Sequence, residues 1–68
     1  SIAMSKREFW DLINEYESNS FAIYFLTEHK KTVFNLRISI DMICRRQDEI
    51  HSLLMNACVI EPDECEEA

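Results

Sequence analysis

Sixty-eight residues, 47% of them apolar and none of them glycine, make one small domain or a piece of a longer protein, too apolar to be a disordered tail. A chain of this length folding alone withdraws only roughly 60% of its unfolded surface from water, so disulfides, a metal or self-association normally add to its stability. The formal charge of −6 is concentrated in the tail, where Glu61, Asp63, Glu64, Glu66 and Glu67 lie, and neither the tail nor the nearly neutral body is the basic surface of a nucleic-acid binder.

Ser1-Ile2-Ala3 ahead of Met4 has the look of a cloning remnant, so the fold is expected to begin near Met4. Ser5-Lys6-Arg7-Glu8 then reads as a capping box, with Met4 and Phe9 placed for a hydrophobic staple. Phe9, Leu12, Ile13 and Tyr16 follow at i, i+3, i+4 and i+7, with Trp10 beside them, which predicts a first helix over Lys6 to Glu17. Glu17-Ser18-Asn19-Ser20 gathers cap and turn formers, so the helix is expected to break there and restart with Ser18 or Ser20 as N-cap, giving a helical hairpin. The apolar run Phe21 to Leu26 is too short for periodicity to choose between helix and strand, and far short of the ~20 residues that span a bilayer. No signal peptide is visible. Thr27 to Thr32 is polar and expected at the surface.

From Val33 onward one pattern dominates. Val33, Leu36, Ile40, Ile43, Gln47, Ile50, Leu54 and Ala57 fall on alternating three- and four-residue steps, the spacing of an apolar seam along a helix. Phe34 to Met42 also alternates strictly, which is a strand pattern. A hairpin of 21–26 with 33–41 would need a turn in Thr27 to Thr32, where no Gly, Asn, Asp or Pro is present to build one. Helix is the expectation, with two apolar faces: the seam, and an opposite face of Phe34, Ile38 and Met42. The opposite face is expected to pack on the first helix and the seam to meet another copy. The long helix should run to about Ile60, where Glu61-Pro62 stops it, and Pro62 to Ala68 should be a solvated acidic tail.

With Ile40 at position a of a heptad, the g–e′ pairs of a parallel zipper would be Ser39 with Cys44, Arg46 with His51 and Leu53 with Cys58, none an attractive ion pair. That favours a seam broader than a/d, as in a bundle or an antiparallel pairing. Gln47 is the one polar residue of the seam, a type that can fix register and oligomeric state at some cost in stability. The same stripe would also serve as the core of a monomeric three-helix bundle.

Chemistry-bearing motifs are few. Cys44, His51, Cys58 and Cys65 recur every seven residues, about 10.5 Å apart along a helix, so one chain cannot close a zinc site from them, although two antiparallel chains would bring such residues together. Three cysteines without C-x-x-C spacing read as reduced thiols of an intracellular, cytoplasmic protein. His29 beside Glu28 and Lys30-Lys31 reads as a solvated face or turn. Nothing arranges a nucleophile, a base and an oxyanion donor, so no catalytic residue, cofactor or metal is expected.

Phe34-Asn35-Leu36-Arg37-Ile38 resembles the opening strand of ribbon-helix-helix repressors, in which outward polar residues of a two-stranded ribbon enter the major groove of DNA. The resemblance implies a DNA-binding dimer with Asn35, Arg37 and Ser39 as base readers. The expectation drawn from the residues themselves is an all-α fold, a short helix folding back on a long one, forming a dimeric helical bundle with a coiled-coil-like seam. Residues 4–60 would be the oligomerisation domain of a larger scaffold or regulatory protein and residues 61–68 its acidic disordered tail. The partner would be a second copy of the chain, with no nucleic acid or membrane involved. An adaptor whose seam takes up a helix of a different protein is the alternative.

Overall fold

The computed structural model describes residues 1–29 and 34–60, with the backbone alone for 34–36. The order is β1 (Ile2–Ser5), α1 (Lys6–Glu28), α2 (Phe34–Met55) and β2 (Ala57–Ile60). The helices pack on each other as a hairpin, and the strands at its two ends pair in parallel, Ile2 opposite Ala57 through Ser5 opposite Ile60. A parallel pair needs a long crossover, and here the whole hairpin is that crossover. The all-α expectation is therefore corrected by a small two-stranded sheet, and Ile2 and Ala3 belong to β1 rather than lying ahead of the fold.

α1 starts where the sequence indicates. The Ser5 hydroxyl accepts from the Glu8 backbone N–H at 3.0 Å, and the Ser5 N–H donates to Glu8 Oε1 at 2.8 Å. Both orphan groups are thus satisfied reciprocally. The helix does not break at Glu17-Ser18-Asn19-Ser20 but continues to Glu28, closing with the His29 N–H on the Phe25 carbonyl. Cap formers in a helix interior cost only a few tenths of a kcal/mol each. With no glycine or proline present they cannot end the helix by themselves. The ambiguous run Phe21 to Leu26 is helical as part of α1, so the two helices are nearly equal in length, 23 and 22 residues, rather than short and long.

α2 contains Phe34 to Met42 in helical form, which removes the strand that the ribbon-helix-helix resemblance requires there. It ends five residues before the expected stop. Asn56 closes it, its N–H donating to the Ser52 carbonyl at 3.1 Å and its side-chain Nδ2 to the same carbonyl at 2.8 Å. The Asn56 carbonyl then accepts from the Ile2 N–H at 2.6 Å, and Ala57-Cys58-Val59-Ile60 pairs with β1 instead of adding a helical turn. The expected stop at Glu61-Pro62 and the tail Pro62 to Ala68 lie outside the described residues, as do Lys30 to Val33.

The face of α2 that meets α1 is the reverse of the expectation. The seam face, with Gln47 and Ile50 buried, lies against α1, while Ile38 and Met42 on the opposite face are exposed. Among the described residues only Met4 and Ile50 are buried apolar side chains, so the core is one thin line between the helices with a second point under the strands. No described helix is long and apolar enough to cross a membrane.

Candidate functional site

The seam residues Val33 to Ala57 are the ones the sequence nominates for contact between copies. Ile50 is 0% exposed and Gln47 7%, and both are covered within the chain. Ile40, Ile43 and Leu54 are half-buried. Ala57 is half-buried too, but in β2 beside Ile2 rather than on the helix. Val33 lies outside the described residues, as does the side chain of Leu36. The structure thus brings the middle of the seam onto α1 and leaves its margins partly open.

Gln47 gives one of the two α1 serines, Ser20, a partner across the hairpin. Its Nε2 donates to the Tyr16 carbonyl and to Ser20 Oγ, both at 3.1 Å. Ser20, which looks like an N-cap in the sequence, is instead a polar partner for the one polar residue of the seam. Gln47 Oε1 is buried with no hydrogen-bond partner among the described residues. An unsatisfied acceptor costs stability. A residue kept at that cost fixes which turn of α1 sits opposite which turn of α2, in the manner of polar residues in coiled-coil seams.

Immediately beside it an ion pair reinforces the same alignment. Arg46 donates from Nε to Glu15 Oε2 at 2.7 Å and from a terminal nitrogen to Glu15 Oε1 at 2.9 Å, a two-point fork. Its other terminal nitrogen donates to Glu49 at 2.8 Å. The hydrogen bond from Arg46, then the charge beside it, hold the Glu15 carboxyl below its ordinary value of 4.5, and the Arg46 guanidinium is correspondingly raised. Both side chains are about 39% exposed, so the pair orients the hairpin more than it stabilises it. A carboxyl with a depressed folded-state pKa contributes stability above its unfolded pKa and loses it as pH falls through the folded one. Glu15→Gln should therefore leave the acid limb of the stability curve shallower below about pH 4.5, as read by denaturant midpoints at several pH values.

Other candidates stay apart. Cys44 and Cys58 are free and exposed, Cys65 lies outside the described residues, and among the described residues no three His, Cys, Asp or Glu side chains are grouped to hold a metal. His29 turns its Nδ1 onto the Phe25 carbonyl, with its ring 4.1 Å from the Phe25 ring and tilted 34° to it, closing the helix end. A shallow groove of about 340 Å³ runs between β1 and α1, lined by Ile2, Ala3, Met4, Glu8, Asp11 and Leu12. Glu8 is engaged in the cap, and the groove holds no constellation suited to a reaction.

The outer faces of the hairpin are the prominent feature that sequence reasoning missed. Phe21 is 68% exposed, Tyr24 64% and Met42 65%, with Trp10 and Phe25 about half exposed. The Phe21 and Phe25 rings stack at 6.4 Å. The signal was present as aromatic residues three and four apart, but the run is too short and too continuously apolar for periodicity to assign it a face. No family model matches the chain, and neither a curated protein nor a solved structure matches it.

Proposed function

We propose that this chain is a self-association module, a hairpin that completes its core by packing against a second copy of itself within a scaffold or regulatory assembly. The observation that carries the reading is the set of large apolar side chains left outside a molecule whose described core is two apolar residues. Monomeric domains seldom leave contiguous apolar surface unused, and the exposed Phe21 and Phe25 rings lie together on α1 with Tyr24 beside them in the chain. The shape agrees, since the Cα radius of gyration is 15.6 Å, where a compact monomer of this length would have about 11 Å.

The seam's part in such an assembly is set by the hairpin. A contact between copies along all of Val33 to Ala57 would require α1 to leave α2, by swinging out or by exchange between copies. With the hairpin closed, the half-buried Ile40, Ile43 and Leu54 are what the seam offers a neighbour. Uptake of a helix from a different protein would use the same open faces, and the acidic tail would keep the assembly soluble. A self-associating chain unfolds with a midpoint that rises with protein concentration. Thermal melts followed by circular dichroism across about a hundredfold concentration range should show that rise. A midpoint that does not move counts against the reading.

A further inference from the structure

Trp10, Asn14, Glu17, Phe21, Tyr24 and Glu28 succeed one another on α1 at steps of four, three, four, three and four. This is a second heptad stripe, set on the flank of α1 away from the residues that cover Gln47. Its members Trp10, Phe21 and Tyr24 are among the most exposed large apolar side chains of the molecule. Within it, Trp10 and Phe21 flank the polar pair Asn14 and Glu17 at equal spacing, while Tyr24 and Glu28 continue beyond Phe21. That layout is self-complementary under a two-fold axis.

Resting on the self-association reading, we propose that α1 of one copy packs antiparallel on α1 of a second copy along this stripe, with Trp10 of each over Phe21 of the other. An axis crossing α1 level with Glu15 and Tyr16 places Trp10 opposite Phe21 of the second copy and Asn14 opposite Glu17, each contact occurring twice. The Asn14 amide donates to the facing Glu17 carboxylate, and this polar centre fixes the register while the aromatic layers on either side supply the burial. A parallel pairing would stack Glu17 on Glu17 and Glu28 on Glu28, like charges against each other. The molecule measures 52 × 21 × 14 Å, so its broad face is on the order of 1,000 Å² in outline, and an interface of the ~800 Å² per partner typical of stable complexes would take most of that face, with the stripe as its centre.

Trp10 is the sole tryptophan, so its emission reports the contact directly. In the full chain the emission should move to shorter wavelength as concentration rises and the mass doubles. Phe21→Glu places a carboxylate opposite each Trp10 and should weaken the dimer by more than about a hundredfold. Its helical circular dichroism should persist, because Phe21 is exposed in the hairpin. Trp10→Lys should also dissociate the dimer. Mixing the two variants should then restore one, since the introduced ammonium would face the introduced carboxylate in one layer while native Trp10 faces native Phe21 in the other. The only tryptophan in that mixture should shift to shorter wavelength. A wild-type chain that is monomeric overturns the self-association reading itself. A wild-type dimer that survives Phe21→Glu with unchanged emission leaves that reading standing and overturns this interface. Variants that are separately monomeric but do not combine overturn the antiparallel register.

Discussion

Ile50→Ala should bring the chain close to unfolding. Ile50 is 0% exposed, the largest fully buried side chain among the described residues, and it sits where α2 presses on α1. Shortening a buried isoleucine to alanine costs about 2–5 kcal/mol, the lost transfer energy plus that of the cavity left behind. A chain of this size has on the order of 3–10 kcal/mol in total. One residue thus holds a large part of the margin because the core is so thin. Ile50→Val should cost only about 0.5–1.5 kcal/mol, and Met42→Ala, on an exposed face, should leave hairpin stability nearly unchanged at concentrations where no dimer forms. Denaturant midpoints for the three variants check the order. A mild Ile50→Ala would mean that the helices are held chiefly by something else.

Met4→Asp should detach the strands while sparing the helices. Met4, the one buried residue of β1, is 6% exposed and lies opposite Val59 of β2. A carboxylate there has no cation paired with it by any described contact, and burying an unpaired charge costs several kcal/mol or forces the segment to open. A two-stranded sheet has little stability of its own, so opening is the cheaper response. Amide exchange should accelerate across Ile2–Ser5 and Ala57–Ile60 while the central turns of α1 and α2 keep their protection. Uniform loss of protection would instead show that hairpin and sheet fold as one unit.

The sequence carried the helices and their start, and it did so where the signal is local. The capping box at Ser5 needs only residues three apart, and the three-four spacing of Ile40, Ile43, Gln47 and Ile50 survives whichever partner covers it. The failures are non-local. Ser18, Asn19 and Ser20 look like a break until Gln47, 27 residues beyond Ser20, is seen to use the Ser20 hydroxyl. The end of α2 was hidden because the apolar spacing runs on through Leu54 and Ala57, and only pairing with Ile2 at the far end of the chain turns Ala57–Ile60 into a strand. The face that meets α1 could not be read from α2 alone, since both of its faces are apolar. The stripe on α1 was legible as spacing, yet its exposure became visible only once α2 was seen to occupy the other side.

If the hairpin is half of an assembly, the molar mass of the chain in solution must depend on its concentration. Light scattering behind a sizing column, across micromolar to millimolar loading, should give about twice 8.1 kDa at the upper end, falling toward one chain on dilution. A mass of one chain throughout, from a folded and helical protein, would contradict the account.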